Sequence, residues 1–112
     1  MSKTYKAAIM TGPRTIEIQD MPMPEPGSGE VLIRVKAVGI CTWEQRAYTK
    51  EKTDAFPFWG GHEIAGIVEK IGSGVKNDIK VGDHVAVASL TRCGECYFCR
   101  KGLDNQCLYA EV

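Results

Sequence analysis

Up to Leu90 the apolar residues come in short runs or in alternation, the spacing of strands and not of helices. "YKAAIM" and "RTIEIQDM" are two such runs, split by the turn dipeptide Gly12-Pro13. "MPMPEPGSGE" is too rich in proline and glycine for a strand and reads as an extended connector. The strongest strand is "EVLIRVKAVGI", with Val31, Ile33, Val35 and Ala37 on one face and Leu32, Arg34 and Lys36 on the other. "TWEQRAY", residues 42–48, is the only good short-helix segment, with Thr42 as its expected N-cap. "TKEKTDAFPFWGG" is a loop. "HEIAGIVEKIG" returns to strand character, and its Gly66 marks a bulge or a close backbone approach. "VKNDIKVGDHVAVASL" supplies a turn and a further strand. Short strands at regular spacing predict a mainly β fold, a barrel or a sandwich.

Composition narrows the function classes. A chain of 112 residues is one domain's length. With 44% hydrophobic and 25% charged residues it is ordinary for a globular protein. Fourteen basic and 14 acidic residues give a formal net charge of zero with no basic tract, which speaks against a nucleic-acid partner. No apolar run is long enough to span a bilayer, because Arg34 and Lys36 interrupt the longest. "MSKTYKAAIM" lacks the apolar core of a secretory signal, which points to the cytoplasm.

In that compartment thiols stay reduced, so clustered cysteines predict a metal site before a disulfide framework. Four of the five stand in "CGECYFCRKGLDNQC", as Cys93, Cys96, Cys99 and Cys107. Thiolate is a soft, strong zinc ligand, and two intervening residues let a tight turn aim both sulfurs inward. Gly94 can take the positive φ such a turn favours. Arg100 and Lys101 stand near enough to offset the 2− charge of zinc with four thiolates. A closed four-sulfur site leaves no open coordination position, so the lobe, residues 91–108, is a structural staple.

Cys41 ends the long strand, and His62 follows a glycine pair at the start of another. Alone, each reads more readily as a packed or hydrogen-bonded structural residue. Together, a thiolate and an imidazole at strand ends could share a second zinc that keeps a position free for substrate. His84 has no such partner and reads as a surface or core residue.

These segments resemble the N-terminal, chaperonin-10-like (GroES-like) catalytic domain of zinc-dependent alcohol dehydrogenases, in the medium-chain dehydrogenase/reductase family. Three motifs carry the resemblance. "GHEIAGIVEKIGSGV" is similar to the family's zinc signature through Gly61, His62, Glu63, Gly66, Gly72 and Val75. "VGICTWE" resembles the segment bearing the first catalytic ligand, and the cysteine lobe, with Gly102 and Asn105, resembles the structural zinc lobe. The resemblance implies a partly open barrel with a short helix and a zinc-stapled lobe. It implies hydride transfer between NAD or NADP and a small alcohol, polyol or sugar-derived substrate. Cys41 and His62 would be ligands of a catalytic zinc, Glu63 an acid able to approach that metal, and Glu44 the carboxylate that orients His62. The parent would be a homodimer or homotetramer.

Trp43 stands where family members commonly carry a Ser or Thr that starts a proton relay, and Thr42 is one position off. Trp43 would narrow the substrate pocket or simply pack. A third catalytic ligand and the Rossmann domain are not in this sequence, which has no GxGxxG after a strand. The expectation is therefore the N-terminal piece of a longer enzyme, inactive by itself. The alternative reading is a zinc-stapled β-barrel interaction module in which Cys41 and His62 are merely structural.

Overall fold

The structure, a computed structural model, describes residues 3–51 and 55–111. Residues 52–54 of the expected loop lie outside the described residues, as do the first two residues and the last. The mainly β expectation is met. Strand β1 (Thr4–Gly12) pairs antiparallel with β2 (Thr15–Pro22). A second sheet runs β3 (Val31–Gly39), β4 (Glu63–Ile71), β5 (His84–Val87), in that order and antiparallel throughout. Helix α1 (Thr42–Tyr48) joins β3 to the loop before β4. The lobe carries α2 (Tyr97–Arg100) and a 3-10 turn, Asp104–Gln106.

The barrel is open, because the two sheets do not share a strand. Two contacts bind the first sheet to the helix and loop that link β3 to β4. Met10 and Phe58 exchange backbone hydrogen bonds of 3.0 and 2.8 Å. The β1–β2 turn docks on α1, where the Arg14 amide donates to the Tyr48 carbonyl at 2.7 Å and the guanidinium lies 6.0 Å from the Tyr48 ring. That turn puts Arg14 at φ 57, in the left-handed region.

Gly66 behaves as its position in the strand pattern implies. It pairs with Val35 while Ala65 pairs with Ala37, so Lys36 is the extra residue of a β-bulge. A Cβ at Gly66 would fall against the Arg34 carbonyl oxygen, and 2.7 Å from Ile33 Cγ2. The strands approach too closely there for any side chain. A second irregularity lies between Leu32 and Ile33. These breaks upset the simple two-faced reading of β3: Val31, Leu32 and Ile33 are half-buried, while Val35 and Ala37 are exposed. The fully covered apolar core is small, with Ile9 of β1, Ala47 of α1 and Val68 of β4.

Candidate metal centres

The lobe is built from turns. Gly94 and Gly102 both adopt positive φ, 75° and 79°, where a Cβ would be strained. A two-residue bridge closes the lobe, Thr91 N–H to Glu111 O at 2.8 Å and Glu111 N–H to Thr91 O at 3.2 Å, so it extends beyond residue 108. Arg92 Nε and Asp104 Oδ2 pair across it at 2.9 Å.

All five cysteines are free thiols. The four lobe sulfurs lie within 4.8 Å of one another, Cys93 and Cys99 at 4.0 Å. A tetrahedron with Zn–S bonds of about 2.3 Å has edges of about 3.8 Å, so the set suits zinc with little rearrangement. Backbone amides point at the sulfurs: those of Glu95 and Cys96 donate to Cys93 Sγ at 3.3 and 3.2 Å, those of Cys93 and Tyr109 to Cys107 Sγ at 3.4 Å each. Such donors stabilise thiolate. The amides of Cys99 and Leu108 bring Cys96 down to about 6, and that of Cys93 lowers Cys107. Burial first, then the neighbouring sulfurs, pushes Cys99 up to about 12. Sulfurs this close do not all ionise without a cation among them, which is the chemistry of a metal site. The lobe's own amides offset the thiolate charge, and Lys101 rests over the Tyr97 ring at 5.6 Å.

The second cluster forms where β3 ends, α1 begins and β4 starts. Ligand atoms of Cys41, His62 and Glu63 also converge within 4.8 Å. One thiolate, one imidazole and one carboxylate are a borderline-soft donor set suited to zinc. The expected N-cap is corrected by one residue: Cys41 caps α1, and Thr42 is its first helical residue. The sulfur accepts from the Trp43 amide at 3.5 Å, and Glu44 reaches back to accept from the Cys41 amide at 3.0 Å. This is the capping-box exchange, with sulfur in place of the usual hydroxyl.

Glu44 is the hub of the cluster. It is 7% exposed, and its Oε1 accepts from His62 Nδ1 at 2.9 Å and from the Gly61 amide at 3.1 Å. Burial alone would raise its pKa, but the Gly61 amide, His62 and the Cys41 amide together hold it below the usual carboxylate value. The ionised carboxylate accepts a hydrogen bond from Nδ1–H, which keeps the proton on Nδ1 and leaves Nε2 of His62 free to ligate. Room for this comes from glycine. A Cβ at Gly60 would stand 3.1 Å from Glu44 Cγ, and Gly61 has φ 94.

His84 lies exposed on β5 opposite Ile67 and joins neither cluster. Trp43 is 41% exposed. An apolar cavity of about 520 Å³ lies on the Glu44 side, lined among others by Met10, Ile16, Val38, Ile40 and Tyr48. None of the three converging side chains lines it. Among the described residues no helix is long and apolar enough to cross a membrane.

An open mainly β sheet carrying one sealed and one open donor cluster defines a class of protein, and comparison with known proteins agrees. Residues 27–112 match the alcohol dehydrogenase GroES-like domain, and the chain belongs to that family. It is 44% identical over 108 residues to S-(hydroxymethyl)glutathione dehydrogenase of Candida maltosa, covering 93% of this chain and 28% of that protein. It is 42% identical over 109 residues to sorbitol dehydrogenase of Bacillus subtilis, covering 94% and 31%. The cobalt- and zinc-bound thermostable alcohol dehydrogenase of Pyrobaculum aerophilum superposes with a TM-score of 0.82 at 33% identity, over 96% of this chain and 33% of that one. The chain thus spans about a third of the length of each.

Proposed function

We propose that this chain is the zinc-carrying N-terminal part of a dehydrogenase that moves hydride between a small alcohol or polyol and NAD or NADP. The convergence of Cys41, His62 and Glu63 on one point supports the reading, because a thiolate, an imidazole and a carboxylate gathered within 4.8 Å are a donor set that fits zinc. Bound there, zinc would supply Lewis-acid polarisation of the substrate oxygen. Cys41 and His62 hold the metal, and Glu44 fixes the tautomer and direction of the imidazole. Glu63 stands ready as an exchangeable oxygen ligand. Cys93, Cys96, Cys99 and Cys107 hold a second zinc that only braces the fold.

On this reading the protein works in the reducing cytoplasm, where its five thiols stay unpaired. Its parent is a homodimer or homotetramer with neither nucleic acid nor membrane as a partner.

Metal content separates this from a stapled interaction module. The expected result is two zinc ions per chain, the one at Cys41 and His62 removed first by chelator. Cys41→Ser lowers the count to one. In the full-length protein that change removes alcohol-dependent NAD(P) reduction by about a thousandfold or more, as loss of several kcal/mol of charge stabilisation requires. A single zinc, unaffected by Cys41→Ser, refutes the reading.

A further inference from the structure

His62 and Glu63 are neighbours in sequence, and Glu63 opens β4. Successive side chains of an extended chain point to opposite sides. Yet both reach the same point beside the Cys41 sulfur. His62 precedes β4 and is free of that alternation, so the strand residue whose place needs explaining is Glu63. Gly39, the last residue of β3, is the direct cross-strand partner of Glu63. Cβ atoms of such partners normally stand about 4.5–5.5 Å apart. A Cβ built on Gly39 would lie 3.1 Å from Glu63 Cβ and 3.3 Å from its Cδ, and would overlap Oε2 outright. The carboxylate lies in the volume where a side chain at residue 39 would be.

We infer that Gly39 is a positioning residue for the open metal site: its missing side chain is the berth through which Glu63 reaches Cys41 and His62. The inference rests on the proposed function and says which residue makes its carboxylate ligand available. Backbone freedom is not the cause, because Gly39, unlike Gly61, is not among the glycines with positive φ. Alanine there tests space alone.

The test is a cobalt(II) titration of this chain, read by the thiolate-to-cobalt charge-transfer and ligand-field bands, with Cys93→Ser/Cys96→Ser removing the lobe's signal. Gly39→Ala should weaken cobalt binding at the Cys41 site about tenfold or more, the range seen when a ligand loses its support. It should also change the ligand-field bands in the way Glu63→Ala does. In the Glu63→Ala background, Gly39→Ala should cost nothing further, because neighbours that act through one contact are not additive. Should Gly39→Ala fail to fold, Gly39→Ala/Glu63→Ala should fold again, since the overlap with the carboxylate is gone and only a tight Cβ–Cβ contact of 3.1 Å remains. Unchanged affinity and bands in Gly39→Ala overturn the inference. So does an equal loss with and without Glu63, or a double variant that still fails to fold. A parent chain that binds no cobalt through Cys41 overturns the proposed function instead, so the two failures are distinct.

Discussion

Glu44 shows how much one side chain can organise. Its two oxygens serve the Cys41 amide, just before α1, and the Gly61 amide and His62, just before β4. Glu44→Gln keeps the shape but faces one of these donors with an amide NH₂. A buried donor left without an acceptor costs about 1–3 kcal/mol, so the urea midpoint should fall accordingly. Metal affinity at the Cys41 site should drop about 10- to 100-fold while the lobe keeps its zinc. Equal retention of both metals in Glu44→Gln would show that His62 is oriented by something else. The sequence singled out Glu44 because a carboxylate three residues after a ligand cysteine fits the resemblance. It did not reveal that sulfur would cap the helix. Capping preference favours a hydroxyl, and Thr42 stood next in line. Cys41 takes the role because Glu44 returns the hydrogen bond to its amide.

At the level of elements, what was legible followed from backbone demands that only glycine meets. Gly66 was marked as a bulge or close approach and is both; Gly94 was marked for positive φ and has it. Gly66→Ala should therefore force β3 from β4 and cost about 1–3 kcal/mol by overpacking, visible as a lowered thermal midpoint with faster amide exchange in both strands. A variant as stable as the parent would mean the bulge relaxes freely. What was not legible were relations between elements distant in sequence. The alternation in β3 set Val31, Ile33, Val35 and Ala37 on one face, but two register breaks and an uncovered end leave Val35 50% exposed. Nothing near Arg14 announced that its turn would dock on Tyr48, since tertiary contact and not local propensity selects that conformation. The spacing of the lobe cysteines was local and clear, whereas its closure by Thr91 and Glu111 pairs residues with no motif of their own.

The whole molecule is flat and loosely covered. Its radius of gyration is 16.2 Å, against about 13 Å for a compact domain of this length. Its accessible surface is 8421 Å², against about 6,100 Å² for a folded monomer of 12.3 kDa. Apolar side chains make up part of the excess: Ile16, Ile18, Val38 and Ile40 are all at least 46% exposed, and three of them line the cavity beside Glu44. Exposed apolar area of this kind drives association until it is covered. At about 100 μM this chain by itself should sediment heavier than 12.3 kDa and bind a hydrophobic dye. Ile16→Lys places a charge at the rim of that cavity and should shift the population toward monomer with dye binding reduced. The lobe should keep its zinc in the same variant, because its sulfurs and their amide donors all belong to residues 93–109. If instead the parent chain sediments as a monomer and leaves the dye dark, the apolar face is covered by the chain's own packing in solution. The metal staple and the open sheet would then be stable without a partner surface.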